Sequence, residues 1–251
     1  MIEGLYLSAT GIMTSSYRQD VLANNLANSE TAGFKRDVAL FKQRLTAAEE
    51  SRRPGDWSDP VLEGLGGGTL SMPTRIDFTQ GDMQESGSPL DVAITGDGFF
   101  TVRDHDQTRL TRDGRFVMAR DGQLTLARGQ KVLDAKGQPI TLATDSPASI
   151  DAQGQISQNG QVVARLGVVD VADKSTLTKL GGGLFAVADA ATLTPSQSQL
   201  RSGFIERSNV DPTMEMTELM DAQRQLEANA NMIRTQDSTL QRLVNDVGKI
   251  S

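Results

Sequence analysis

A seven-residue apolar repeat near the C-terminal end constrains this chain more than any other feature. Leu219, Leu226, Ile233, Leu240 and Val247 recur at intervals of seven, and Ala222, Ala230, Leu243 and Ile250 follow them by three or four residues. That period keeps a narrow stripe on one side of a helix, suited to packing lengthwise on other helices. Asp211 can cap the free amides of the first turn, and Pro212 suits the first helical position, where no donor is needed. Glu215, Glu218 and Asp221 lie toward the positive end of the helix dipole and Lys249 toward the negative end. No Gly or Pro intervenes before Gly248. The helix so predicted runs about 54 Å and needs a partner to bury its stripe.

Residues 3–28 carry a second helical pattern, about 39 Å long. Leu5, Ile12 and Leu26 keep a seven-residue spacing with Gln19 as the polar member, and Ala9, Ser16 and Ala23 form an adjacent row. Small side chains there let a neighbouring helix approach closely. Such a helix is marginal in water by itself; it could also lie on its own domain. It runs into Ala23-Asn24-Asn25-Leu26-Ala27-Asn28-Ser29-Glu30-Thr31-Ala32-Gly33-Phe34-Lys35-Arg36. Asn residues are poor inside helices but satisfy backbone groups where a helix unwinds, and Gly33 supplies a turn.

Residues 34–62 are ambiguous. Val38, Phe41, Leu45 and Ala48 fit a helix period, and Arg52-Arg53-Pro54-Gly55-Asp56 breaks it. Gly64 to Gly68 reads as a flexible connector, since a phosphate loop would need a following Lys-Ser/Thr. From Thr69 to Phe204 the period becomes two. Leu90, Val92 and Ile94 alternate with Asp91, Ala93 and Thr95, and Gly96-Asp97-Gly98 turns the chain into Phe99-Phe100-Thr101-Val102. Turn pairs follow at Asp113-Gly114, Asp121-Gly122, Lys136-Gly137, Gln153-Gly154 and Asn159-Gly160. Strands are predicted over Leu124–Ala127, Ile140–Leu142, Val162–Val171, Phe185–Val187 and Phe204–Ile205, as an all-β meander or small barrel.

Several function classes are disfavoured. The net charge of −7, without a basic stripe, argues against a nucleic-acid partner. The absence of Cys excludes disulfides and thiolate metal sites. No apolar run is long enough for membrane insertion, and no basic segment followed by an apolar run marks a cleavable signal. The single histidine, His105, sits among Asp104, Asp106 and Gln107 and reads as a solvated loop tip. One His without Cys leaves no His-rich metal site and no Cys–His pair, and no nucleophile motif accompanies it. The Asp-Gly pairs lack the further acidic ligands of a calcium loop. Acidic residues are plentiful, but nothing selects a catalytic pair. No catalytic residue, metal, cofactor or small-molecule substrate is therefore expected.

Three stretches, in order, resemble signatures of the bacterial flagellar axial family, the rod and hook proteins. The first is Asn24-Asn25-Leu26-Ala27-Asn28 with Thr31 and Gly33-Phe34-Lys35-Arg36. The second is Leu90-Asp91-Val92-Ala93-Ile94 with Gly96-Asp97-Gly98-Phe99-Phe100-Thr101-Val102. The third runs from Gly203 through Glu206, Ser208-Asn209-Val210 and Glu215-Met216 to Gln223-Arg224 and Glu227. Ala32 and the Gly66-Gly67-Gly68 linker depart from the pattern. Length points to the rod subunits of roughly this size, and Ile150–Gln161 with Arg165-Leu166 and Met232–Asp237 resemble the proximal-rod type more than the distal-rod type.

The resemblance implies an α+β fold. Terminal helices (residues 1–33 and 207–251) pair as an antiparallel coiled coil, residues 34–75 connect, and residues 76–206 form an outer, mainly antiparallel all-β domain. It implies a non-enzymatic subunit of the periplasmic rod that polymerises into a torque-transmitting shaft. Its partners would be copies of itself, other rod and hook subunits, and the flagellar type III export apparatus, which would read an uncleaved N-terminal region. Leu5, Ile12, Leu26, Leu219, Leu226, Ile233, Leu240 and Val247 are the expected assembly residues. Asn24, Asn25, Leu26, Asn28, Gly33 and Phe34 form the signature that joins helix to outer domain. Before assembly both ends are expected to be largely disordered. A distal-rod or hook-like subunit, a secreted oligomeric β-domain adhesin and a wall-remodelling enzyme are the alternatives.

Overall fold

The computed structural model of the chain describes residues 2–43, 68–187, 193–196 and 198–247. Leu45, Ala48, Arg52–Asp56, Gly64–Gly67, Gly248, Lys249 and Ile250 lie outside the described residues, as does the side chain of Val247. The fold is α+β, with an N-terminal helix, a C-terminal helix and a central antiparallel β domain. The chain forms two compact units: Met1–Leu26, Asp37–Arg75 and Asp211–Ser251 make one, and Ala27–Arg36 and Ile76–Val210 the other.

The first unit contains α1 (Ile2–Ala27) and α2 (Pro212–Val247). The predicted cap of α2 is in place. Asp211 Oδ1 accepts hydrogen bonds from the amides of Thr213 at 2.9 Å and Met214 at 3.3 Å. An N-cap of this kind contributes about 1 kcal/mol. Val38 and Phe41, which fit a helix period in sequence, lie instead on β1 (Asp37–Gln43), paired with β2 (Thr69–Ile76). Asn25 fixes the start of that strand. Its side-chain oxygen accepts from the Asp37 amide at 2.9 Å, and its amide donates to the Asp37 carbonyl at 2.8 Å. Extended backbone offers both groups of one residue to a side chain, whereas helix interiors use them internally. Tyr17 of α1 holds the ribbon further along, donating to the Met72 carbonyl at 3.0 Å and meeting Phe41 edge-on at 6.2 Å.

The second unit is built from hairpins. β3 (Met83–Glu85) pairs with Phe204–Glu206, and β4 (Val92–Thr95) with Gln199–Ser202. The main sheet is centred on the hairpin of β5 (Phe99–Asp104) and β6 (Gln107–Thr111), with His105 at its exposed tip. Residues 148–150, 155–158 and 161–165 form a separate three-stranded sheet. Period-two alternation explains why the adjacent phenylalanines serve different cores. Phe100 joins Val92, Val102, Phe116, Leu124 and Val132, whereas Phe99 joins Leu110, Val171, Leu177 and Phe185. Phe78 closes an aromatic triangle on the second core, 5.7 Å from Phe99 and 5.6 Å from Phe185.

Two predicted strands differ. The run Val162–Val171 is two strands, Gln161–Arg165 and Val168–Val171, which belong to different sheets. The switch occurs at Gly167, where a Cβ would lie 2.3 Å from Thr101 Oγ1 and 2.6 Å from the Asp134 carbonyl, so only glycine lets the chain pass. Ile140–Leu142 joins its neighbours through hydrogen bonds and isolated bridges, without forming a continuous strand.

Candidate functional site

Within the first unit the two helices meet along a line of small and polar residues. A Cβ on Gly4 would lie 2.5 Å from Gln236 Nε2, and one on Gly11 2.7 Å from Asn229 Nδ2. Further along, Arg18 reaches Glu218 at 3.1 Å and Asn25 reaches Glu215 at 3.4 Å. Rising numbers on α1 thus meet falling numbers on α2. Ser8, Ser15 and Leu22 are buried between these contacts, as are Glu215 and Ala222 on α2. The half-exposed Arg18–Glu218 pair contributes at most about 1 kcal/mol, so it orients more than it stabilises.

The apolar rows legible in sequence stand differently to this line. On α2, Leu219, Leu226, Ile233 and Leu240 are partly buried and flank the residues in contact with α1. On α1, the helix is rotated from the stripe expected to face its partner. Leu5 is 37 % exposed and Met13 72 %, Ile12 and Leu26 are partly buried, and Ser16 and Ala23 are exposed. Glycine and serine permit the closer approach, and the amides of Asn229 and Gln236 fill the space beside them. That leaves Leu5, Tyr6, Leu7 and Met13 of α1 exposed.

The signature Asn24–Phe34 does several distinct jobs. Asn25 holds β1. Asn28 ends the helix, its carbonyl accepting from the Thr31 amide at 3.1 Å and its side chain from Thr31 Oγ1 at 3.3 Å. Asn24, Leu26 and Asn28 have further interactions. Gly33 adopts φ +65° and passes within van der Waals contact of the backbone at Arg112 and Asp113, while Phe34 is buried under Lys179, whose Nζ lies 3.7 Å from the ring centroid.

The second unit encloses an ionic node that sequence reasoning did not single out. Lys35 Nζ donates to Glu206 Oε1 at 2.5 Å and to the Thr79 carbonyl at 2.7 Å. Arg112 donates to Glu206 Oε2 at 3.2 Å and to the Gly96 carbonyl at 2.8 Å, and its guanidinium lies over Phe99. Glu206 also accepts from the amides of Gly81, at its carboxylate, and Gly33, at its carbonyl. Both side chains of the Lys35–Glu206 pair are 0 % exposed, and Arg112 is 2 % exposed. Beside the node, Asn209 Oδ1 accepts from the Arg36 amide at 2.8 Å, and its Nδ2 donates to the carbonyl of Asp77 at 2.9 Å. Burial holds the Lys35 ammonium below its ordinary pKa; Glu206 opposes that shift, and Arg112 adds to it.

The node joins residues drawn from all three sequence signatures: Gly33 and Lys35 from the first, Gly96 and Phe99 from the second, Glu206 and Asn209 from the third. Arg112, Thr79 and Gly81 belong to none of them. Local pattern gives no warning of such burial, because Lys, Glu and Arg are read as surface residues. Among the described residues no group of His, Asp or Glu is placed to hold a metal ion, and no helix is long and apolar enough to cross a membrane.

Comparison with known proteins gives three family matches in chain order. Residues 5–35 match the "Flagella basal body rod protein" model, residues 93–164 the "Flagellar hook protein FlgE/F/G D1 domain", and residues 201–246 the "Flagellar basal body rod FlgEFG protein C-terminal" model. The flagellar basal-body rod protein FlgF of Caulobacter vibrioides is 34% identical, covering 100% of both chains. The flagellar basal-body rod protein FlgG of Bacillus subtilis is 32% identical, covering 98% of this chain and 99% of the relative. FlgF of Mesorhizobium japonicum is 30% identical, again over 100% of both chains.

Proposed function

This chain belongs to the flagellar basal-body rod protein family, and from that premise we propose that it enters the rod through α1 and α2, paired as an antiparallel coiled coil. It is a structural subunit of the flagellar basal body and assembles with other rod and hook subunits. The single observation that carries the assembly route is the exposed apolar surface of α1. Leu5, Tyr6 and Met13 remain 37 %, 43 % and 72 % exposed in a helix already packed on α2. A second copy can cover such a face, and head-to-tail contact between identical subunits extends without closing.

In this reading Leu5, Ile12 and Leu26 of α1, with Leu219, Leu226, Ile233, Leu240 and Val247 of α2, form the assembly core. Residues 1–33 and 207–251 make the coiled-coil core of the shaft, 76–206 its outer domain, and 34–75 the connection. Neither helix buries enough apolar surface alone to be stable in the free subunit, so ordering accompanies assembly. Torque transmission then needs interface area and no catalytic group. The chain reaches the periplasmic rod through the flagellar export apparatus without cleavage, and the segments Ile150–Gln161 and Met232–Asp237 favour the proximal position.

Mass spectrometry of purified hook–basal bodies tests the reading. Retention of the protein in low copy number after the filament is stripped is the expected result. Absence from intact particles, with the protein elsewhere on the envelope, would overturn it in favour of a secreted oligomer.

A further inference from the structure

We infer that the buried Lys35–Glu206–Arg112 node is the joint at which load enters and leaves the β unit, a positioning device that holds three of the four exits of the chain from that unit in one arrangement. The inference rests on the rod-subunit reading for the origin of the load. Its geometry stands by itself. The chain enters or leaves this unit after residues 26, 36, 75 and 210. The node and its immediate neighbours bind the segments next to the last three of those exits: Gly33 to Arg36, Asp77 to Gly81, and Glu206 to Asn209.

One carboxylate ties them. Glu206 accepts from Lys35 near the second exit and from the Gly81 amide near the third, and itself precedes the fourth by a few residues. Through Arg112 the same carboxylate reaches the Gly96 carbonyl and the Phe99 ring of the second core. A force applied at any of these three exits therefore meets one hydrogen-bonded cluster anchored in the aromatic core.

The energetics separate positioning from stabilising. Taking three ionised groups out of water is costly, and buried ion clusters are often matched or bettered in stability by apolar residues of similar size. Desolvation, the largest influence on Lys35, points the same way. What an apolar cluster lacks is direction. It has no fixed donor and acceptor lines, so segments can slide against one another at little cost.

The test is the charge-free triple variant Lys35→Met, Arg112→Met, Glu206→Gln; the last change keeps an oxygen for the Gly81 amide. The expected result is a thermal midpoint of the β unit equal to or above that of the parent, with normal incorporation into hook–basal bodies. Rotation of tethered cells is then lost as viscous load rises, while unloaded rotation persists. Rotation that matches the parent at all loads overturns the proposal, and so does a lowered thermal midpoint in a variant that still folds. If the variant does not fold, hydrogen exchange in the parent protein decides. The amides of Gly33, Gly81, Arg207 and Asn209 should exchange as one cooperative group, and independent exchange overturns the single joint. Absence of the parent protein from hook–basal bodies would refute the rod reading alone, leaving the midpoint and exchange results to judge the node.

Discussion

Replacing Gly33 by alanine tests the close passage of the signature turn over the β unit. At φ +65° a side chain costs about 1–2 kcal/mol. Against this, alanine restricts the unfolded chain and offsets about 0.4–1 kcal/mol. Steric overlap adds the greater cost. A Cβ at Gly33 would stand 2.4 Å from the Arg112 carbonyl carbon, 2.6 Å from the Asp113 nitrogen and 2.7 Å from the Arg112 oxygen. All three are backbone atoms, so relief must move main chain, at about 1–3 kcal/mol. The net is about 3 kcal/mol, or roughly a hundredfold in the folding equilibrium. Gly87 provides the control: its φ is +72°, and a Cβ there meets nothing within 4 Å. Gly87→Ala should therefore show the backbone strain alone, about 1 kcal/mol after the same offset. The assay is urea denaturation read by hydrogen exchange in the peptides carrying Phe100, Leu124 and Val132. Equal losses in the two variants would refute the reasoning, because the close approach would then contribute nothing.

Asp211→Ala removes the acceptor for the Thr213 and Met214 amides, and should cost about 1 kcal/mol and fray the first turn of α2, read as faster amide exchange at those positions. Leu226→Asp places a charge in the proposed assembly core; it should abolish incorporation into hook–basal bodies while the β unit keeps its circular dichroism. The depressed pKa of Lys35 has a definite sign. The unfolded chain binds this proton more tightly, so stability rises as pH climbs through the folded pKa toward the ordinary 10.5, holds above it, and is lost as pH falls back through the folded value. Urea midpoints measured over that interval should rise less in Lys35→Met than in the parent; parallel curves would contradict the assignment.

Much of the architecture is legible in local sequence because periodicity is a local property. The heptad row and Asp211 mark α2 from its first turn, and Asn159-Gly160 marks a hairpin turn in which both residues take positive φ. β1 is not legible as a strand: Val38 and Phe41 fit a helix period, and only the hydrogen bonds of Asn25 to Asp37 commit the segment to extended backbone. The break at Gly167 is hidden for a similar reason. The run around it alternates acceptably as one strand, and only the approach of Thr101 and Asp134 shows that the chain must change sheets there.

By itself the sequence determined the two long helices, the β character of the middle, their order and the family, since helix and strand periods, caps, turn pairs and signatures are written in neighbouring residues. The tertiary structure decided which face each element uses. A helix with an apolar row and a row of glycine and serine can present either to a partner, and here Gly4 and Gly11 face α2 because close approach and the amides of Gln236 and Asn229 complement each other. The node was decided there too. Lys35 and Glu206 are 171 residues apart, and an isolated buried charge of either sign is too costly to expect. Only when the chain closes on itself do the two meet, so that each becomes the other's reason for being inside.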